Sequence, residues 1–426
     1  MKPLIVVAIT RKSGRAMAQA LSFSVEHQSH SCDARVGQVQ TLHGAFTTPA
    51  FMAVGTRGTV KGLLPEQLRQ AGCEIVLNNA YHMMLRPGGE LVRDCGGVQR
   101  FMNWNGPILT DSGGYQAFSM ADINSVDDEG VTFKSIIDGA SVHLGPESSM
   151  AVQNNLGADI IMAFDDCPPS VDPQESAGVI RRMGGSVGRG DQVNHAQRLQ
   201  IAHQRTVAWL ERCVLAHRRA EEQSLFGIIQ GGTDLDLRSA SVEAICNIDL
   251  PGYAIGGVAV GEGPTEIRRV VEHTAPLLPS DKPRYLMGVG YEADLLAAVR
   301  AGIDMFDCVL PTRNGRNANA FTRKGPLRLR NAACRHDQSV IEPGCQCVAC
   351  RPSTGHQEGG FSRSYLRHLF MAQEMLGPIL VSLHNIHHFQ SLMLDIREAI
   401  KEDSWSLLYE RWPVLDRKRG CQNEPA

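Results

Sequence analysis

Ile160-Ile161-Met162-Ala163-Phe164-Asp165-Asp166 is an unbroken apolar run closed by two carboxylates, the pattern of a buried strand whose end reaches a polar site. Seven more short runs punctuate the chain: Pro49 to Val54, Glu74 to Asn78, Pro107 to Thr110, Leu225 to Ile229, Tyr253 to Ile255, Arg284 to Leu286 and Ile303 to Phe306. Polar or glycine-rich turns follow them. Helical periodicity lies between, at Glu66 to Ala71, Glu147 to Leu156, Asn194 to Arg218, Leu235 to Cys246, Thr265 to Thr274 and Glu292 to Arg300. Eight such units predict an α/β chain built as a (β/α)8 TIM barrel. An open doubly wound sheet would usually carry Gly-x-Gly-x-x-Gly after its first strand. Val54-Gly55-Thr56-Arg57-Gly58 is not that turn, and no Walker phosphate loop occurs.

Two segments interrupt the alternation. Val126 to Gly145 reads as a β-hairpin insertion turning at Asp138-Gly139, and Pro169 to Val193 is a glycine-rich loop carrying Arg181, Arg182 and Arg189. After Arg330 the pattern gives way to Cys345-Gln346-Cys347-Val348-Ala349-Cys350 and then to a helix from about Ser364 to Leu376. Thiolates bunched this closely can face one tetrahedral ion, whereas Cys345 and Cys347 are too near for an easy disulfide. The cluster therefore predicts structural zinc, its fourth ligand coming from Cys334, His336, His356, His368, His384, His387 or His388. The expected division is an unstructured extension over 1–20, the barrel over 21–330, a C-terminal zinc-binding subdomain over 331–400, and a helix and tail over 401–426.

With 426 residues, 43% hydrophobic and 20% charged, the chain has room for one large domain and a small one. Of its 12 cysteines, Cys32, Cys73, Cys95, Cys167, Cys213, Cys246, Cys308 and Cys421 are scattered singly, which predicts a reducing, cytoplasmic setting. Met1 to Arg15 places its charges after its apolar run, the reverse of a secretory signal, so neither signal peptide nor membrane span is expected. The net charge of −3 argues against a protein that coats nucleic acid nonspecifically. Locally the balance changes: Thr312 to Arg330 holds six basic residues, Arg313, Arg316, Arg323, Lys324, Arg328 and Arg330, and no acid. A bare charge run is ordinarily a solvated face, but this asymmetry also suits a phosphate backbone.

Catalytic groups of such barrels sit at the carboxyl ends of the strands. Here those ends read Asn78 and Asn79, Asp111, Asp165 and Asp166, Gln230, Gly256 and Gly257, Met287 and Gly288, then Asp307. One aspartate after a strand is an ordinary helix cap. Four carboxylates and an amide converging on one mouth are harder to explain by capping. Paired carboxylates support general acid/base work, or a nucleophile with an acid. In Asp111-Ser112-Gly113-Gly114-Tyr115-Gln116 the glycines let backbone approach a ligand, and Tyr115 offers a flat face for stacking. Asp307 stands directly before the basic stretch, where it would meet a substrate whose phosphates the arginines hold.

From about Ala34 to Ile400 the chain resembles the bacterial tRNA-guanine transglycosylases, also called queuine tRNA-ribosyltransferases. The resemblance is carried by Thr48-Pro49-Ala50-Phe51-Met52, Val54-Gly55-Thr56, Asn79-Ala80-Tyr81-His82, Asp111 to Gln116 and Ala163-Phe164-Asp165-Asp166-Cys167. It continues through Gln230-Gly231-Gly232, Ile255 to Glu262, Tyr285-Leu286-Met287-Gly288-Val289-Gly290 and Asp307 to Arg316. It implies exchange of guanine at the anticodon wobble position of GUN-anticodon tRNAs (those for Asp, Asn, His and Tyr) for 7-aminomethyl-7-deazaguanine, in queuosine biosynthesis. Asp307 matches the nucleophile that forms a ribosyl-aspartate ester, and Asp111 the general acid/base. Asp165, Gln230, Gly257 and Ser112 would bind the purine or 7-deazapurine base, Tyr115 and Met287 would sandwich it, and Asn79 would orient Asp111. Thr312, Arg313 and Arg316 match the residues that hold the tRNA anticodon loop, and His384 matches the fourth zinc ligand beside Cys345, Cys347 and Cys350.

The resemblance further implies a homodimer. Val260 favours the aminomethyl base, because the family's queuine-inserting enzymes carry glycine there. A noncatalytic tRNA-binding subunit of the same fold is the other alternative, disfavoured by the retained Asp111, Asp165, Gln230 and Asp307. Three departures stand out: Asp166 where the family usually has glutamate, the lengthened 169–193 loop, and the Pro352 to Gly359 segment before His384.

Overall fold

Strand alternation closes a barrel here. In the computed structural model, which describes residues 20–116, 123–172, 194–352 and 359–416, the chain opens with an antiparallel sheet of β1 (Leu21–Gln28), β2 (Arg35–Thr41) and β3 (Gly44–Thr48). The barrel strands are β4 (Ala50–Gly55), β5 (Val76–Asn78), β6 (Ile108–Thr110), β10 (Ile160–Met162), β11 (Ser224–Ile229), β12 (Gly252–Ile255), β13 (Arg284–Leu286) and β14 (Met305–Cys308). They pair in parallel in that order, and β14 returns to β4. Successive side chains of a strand point to opposite faces. Ala50, Met52 and Val54 accordingly join Leu77, Leu109, Ile160, Met162, Phe226 and Tyr285 in a core inside the barrel, while Phe51 and Ala53 pack outward against the helices. All eight runs anticipated as strands are barrel strands.

The helices around the barrel are α1 (Pro65–Gln70), α2 (Ala80–Leu85), α3 (Gly89–Asp94), α4 (Gly97–Met102), α5 (Pro146–Leu156), α6 (His195–Ala216), α7 (Leu235–Cys246), α8 (Pro264–Thr274) and α9 (Glu292–Arg300). Their starts are marked in sequence: Asn194 and Asp234 accept from backbone amides three residues on, and Pro65, Pro146 and Pro264 take first-turn positions. Past the barrel come α10 (Leu310–Arg316), the short pair β15 (Asn319–Ala320) and β16 (Leu327–Arg328), α11 (Arg363–Met371), α12 (Leu376–Glu402) and α13 (Trp405–Arg411).

One expectation is extended and another corrected. The hairpin anticipated over Val126 to Gly145 is present as β8 (Val131–Lys134) and β9 (Ser141–Leu144), and β7 (Ile123–Val126) pairs with β8 to make a three-stranded sheet. The turn at Asp138-Gly139 is present, with Asp138 accepting from the Ala140 amide, but a second turn at Asp127 to Gly130 adds a strand. The helix anticipated over Ser364 to Leu376 is also two helices, because Gln373 takes a left-handed φ of 60° and ends the first. Pro378 falls in the first turn of α12, where its missing N–H costs nothing. This 27-residue helix spans both parts of the chain, stacking Phe389 on Phe51 of β4 while carrying His384 beneath the cysteines.

The expectations for the first 19 residues, for Arg181, Arg182 and Arg189, for 353–358 and for the tail from 417 lie outside the described residues. Among the described residues no helix is long and apolar enough to cross a membrane.

Candidate active site

Asp111, one residue past β6, is buried, and both of its oxygens are occupied. Asn79 donates its side-chain amide to Oδ2 at 2.6 Å, and the Ala80 amide donates to Oδ1 at 2.8 Å. Asn79 also accepts from the His82 amide, so it caps α2 while orienting the carboxylate. Burial pushes the Asp111 pKa from 3.8 up to about 7; the charges of Asp307 and Asp165 add to the rise, and the amides of Ala80 and Gly113 oppose it.

Asp165, past β10, is likewise pushed up to about 7, by burial first and by the Asp166 charge behind it. Its Oδ2 accepts from the Gln230 side chain at 2.6 Å, and the Ser112 hydroxyl hydrogen-bonds it as well. Neighbouring Asp166 faces away from this cluster. It is fully buried and held by Arg198 at 2.6 and 2.9 Å and by Arg205 at 2.6 Å, both from α6. One aspartate of the pair thus faces the Gln230 side chain with a raised pKa, and the other is an ion-pair anchor.

Asp307 lies within β14. Oδ1 accepts from the Tyr285 hydroxyl at 2.6 Å and from the Gly288 amide at 2.9 Å; Oδ2 makes no hydrogen bond among the described residues. Burial raises its pKa, and those two donors pull it back. Tyr285, inside the barrel on β13, stands in a motif quoted above but is given no role there. The available signal was its place on the inward face, one pleat below Met287.

Gly257 has a left-handed φ of 61°, and a Cβ there would collide with the Gln230 amide oxygen. Only glycine suits the position. Met287 is partly buried, and Tyr115 keeps 43% of its surface exposed. Glu262, quoted within a motif but given no role, accepts from the Ala259 and Val260 amides and from the Ser170 hydroxyl.

Asp307 leads into α10, where Arg313 is exposed and Arg316 half-buried. Neither guanidinium has a carboxylate partner among the described residues. Thr312 is buried, its hydroxyl turned to the Val309 carbonyl, so it is not presented to solvent like the two arginines. Arg323 is committed elsewhere, stacked 4.8 Å from the Trp412 ring and 3.8 Å from Asp395.

Cys345, Cys347, Cys350 and His384 form a second centre, a cluster able to hold a metal ion, with ligand atoms all within 4.8 Å of one another. His384 Nδ1 lies 3.8, 3.4 and 3.4 Å from the three sulfurs in sequence order. Its Nε2 is 2.8 Å from the Phe321 carbonyl. A carbonyl can only accept, so Nε2 carries the proton and Nδ1 presents a lone pair to the thiols. Of the other candidates, Cys334 faces the Arg328 carbonyl and His388 pairs with Glu292 at 2.9 Å, while His356 lies outside the described residues. The cluster is tied to the arginine helix. Asn385 bonds the carbonyls of Pro311 and Asn319 and the Phe321 amide, and a Cβ on Gly315 would lie 2.6 Å from the Ser382 hydroxyl, so α10 and α12 touch backbone to backbone.

A closed parallel barrel with buried carboxylates at its strand ends and a Cys3His cluster beyond the last strand defines a (β/α)8-barrel enzyme with an appended region that could hold a metal ion. Residues 30–414 match the family model for queuine tRNA-ribosyltransferase. Proteins named queuine tRNA-ribosyltransferase from Synechococcus elongatus and Pelotomaculum thermopropionicum are 45% and 46% identical to it, over 94% and 90% of this chain and 97% and 95% of theirs. One from Lysinibacillus sphaericus is 45% identical over 90% of this chain and 93% of its own. The chain belongs to the queuine tRNA-ribosyltransferase family.

Proposed function

We propose that the chain is a tRNA-guanine transglycosylase, a pentosyltransferase that replaces guanine at the wobble position with 7-aminomethyl-7-deazaguanine. The observation that carries this reading is the convergence of Asp111, Asp165 and Asp307, close enough that the charges of the latter two raise the pKa of the first. Asp307 Oδ2 attacks the ribose C1′ as the bond to guanine N9 breaks; the electron pair leaves with the base, and Asp111 supplies the proton. The incoming base then gives Asp111 its N9 proton and attacks C1′, and the ester to Asp307 breaks. Configuration is retained, no oxidant or nucleotide is consumed, and one hard displacement becomes two easier ones. An Asp111 acidity near about 7 suits a group that must both give and take a proton at neutral pH. Asp165, Gln230, Ser112 and Gly257 face the base's polar edge, with Tyr115 and Met287 on its faces. The base must be splayed from its loop to reach them.

The test gives the enzyme cognate tRNA bearing labelled guanine and adds either the aminomethyl base or queuine. Label is expected to leave with the first and to stay with the second, since Val260 narrows the pocket. Retention of label with both bases refutes the activity, and release by queuine refutes the role of Val260.

Zinc fits the thiolate cluster. Bonds of about 2.3 Å to sulfur and about 2.0 Å to nitrogen at a tetrahedral angle put the two ligand atoms about 3.5 Å apart, against 3.4 to 3.8 Å in the structure. Zinc would supply folding energy there and no chemistry, because the four protein ligands leave no open position.

Arg313 and Arg316 are assigned to anticodon-loop phosphates. Replacing both by alanine is expected to flatten the salt dependence of tRNA binding by about 0.7 in log–log slope for each phosphate no longer neutralised; an unchanged slope refutes the assignment. A homodimer is supported by the exposed Tyr365, Met371, Met375 and Leu376 around the α11–α12 turn, Met375 being 78% exposed. Sedimentation at the mass of one chain contradicts it. The reducing cytoplasm suits the unpaired cysteines.

The raised carboxylates also set a pH dependence. Folded Asp111 and Asp165 hold protons up to about 7, whereas in the unfolded chain they lose them near 3.8. The folded state therefore binds more protons between these values, and this pair's contribution to stability falls as pH rises from about 4 through about 7. The Asp111→Asn chain is expected to lose part of that slope in thermal midpoints measured from about pH 5 to 8. Parallel curves for the two chains refute the raised pKa.

A further inference from the structure

Arg238, in the first turns of α7, is completely buried and makes no hydrogen bond to a carboxylate among the described residues. Burying a guanidinium this way is costly unless its donors are satisfied. Here four backbone carbonyls take four of its five N–H donors: Nε donates to Gly232 at 2.9 Å, Nη1 to Ile229 at 3.0 Å and Gly256 at 2.7 Å, and Nη2 to Gly257 at 2.9 Å. These carbonyls lie at the ends of two neighbouring strands, β11 and β12, whose loops carry Gln230 and Gly257. The same helix holds Gln230 from its Ser241 hydroxyl, 3.1 Å from the Gln230 amide.

Two consecutive carbonyls on one guanidinium impose an orientation. In a trans peptide the C=O and N–H point in opposite directions. Because the Gly256 carbonyl is turned onto Arg238, the N–H of Gly257 is turned the other way, away from the guanidinium. The left-handed φ of Gly257 then swings its own carbonyl back to the same cation. That N–H makes no hydrogen bond among the described residues.

We propose that Arg238 is a positioning residue for base recognition: by holding the Gly256 and Gly257 carbonyls it aims the Gly257 N–H into the pocket as a donor to the base's 6-oxo oxygen, and so sets a preference for 6-oxopurines. This rests on the purine-exchange reading above. The guanidinium touches neither base nor ribose and acts only through the two peptides.

The test compares guanine with 2-aminopurine, which lacks the 6-oxo oxygen, as competitors of labelled-guanine incorporation into tRNA. The native enzyme, Arg238→Lys and Arg238→Gln are compared. In the variants the preference for guanine over 2-aminopurine is expected to shrink about tenfold, the order of one hydrogen bond, while KM for tRNA stays near the native value. Lys, which keeps the charge but reaches fewer carbonyls, should lose less than Gln. A folded, active variant with the native preference overturns the proposal. So does failure of both variants to fold, which would make Arg238 purely structural. If the native enzyme itself exchanges no guanine, the purine-exchange reading has failed, a result distinct from either.

Discussion

In the Asp307→Asn chain no covalent tRNA adduct is expected on a denaturing gel, and base exchange is expected to fall by on the order of 10⁴-fold or more, the scale of losing a nucleophile. Asparagine has nearly the same shape and can still accept from Tyr285 and Gly288 through its amide oxygen, so the local structure persists. What it lacks is a carboxylate lone pair at the position of Oδ2, the oxygen of Asp307 that makes no hydrogen bond among the described residues. tRNA binding should stay close to native, because Arg313 and Arg316 are untouched and lie on the helix that follows. Asp111→Asn is the informative control: its Asp307 is intact, and any adduct it forms should persist, since no group remains to accept the incoming base's proton. An adduct on Asp307→Asn would move the nucleophile elsewhere, and Asp111 would be the next carboxylate to test.

The barrel was legible because it is written in local patterns. Ile160 to Phe164 is apolar on both faces, and so are the other runs, because a parallel strand covered by helices outside and by side chains inside has no polar face to display. Strand ends were legible for the same reason, as the first polar residue after each run. Asp111, Asp165 and Asp307 could thus be placed at one mouth without coordinates. Residues that act from behind were not legible. Arg238 sits on a helix among Leu237, Ser241 and Val242, and nothing in a linear reading says that four carbonyls from two loops close on it. Tyr285 reads as one more apolar residue of a strand until the pleat places its hydroxyl against Asp307. The division of labour between Asp165 and Asp166 was hidden too, because adjacent residues of the chain face opposite sides and only tertiary packing brings Arg198 and Arg205 to the second. The break at Gln373 escaped because an isolated glutamine with positive φ has no composition signal.

Replacing His384 with Ala is expected to take bound zinc from one ion per chain to well below it and to lower the thermal midpoint. It should also weaken tRNA binding, although every carboxylate of the barrel mouth is retained. A structural site of this kind contributes on the order of 10 kcal/mol of apparent binding energy to folding. Its loss reaches the substrate surface along a short path. His384 bonds Phe321, its neighbour Asn385 holds Pro311, Asn319 and Phe321, and Ser382 packs against Gly315, all on the stretch that carries Arg313 and Arg316. Asn385→Ala separates the two contributions. It leaves the thiols and imidazole in place, so zinc content should remain native while tRNA affinity falls, because α10 loses its tie to α12. His384→Ala should lose both. If His384→Ala keeps one zinc per chain and its native midpoint, the fourth ligand is another neighbouring histidine. If Asn385→Ala binds tRNA as tightly as the native chain, the metal region braces only itself, and the arginines are held by the barrel alone.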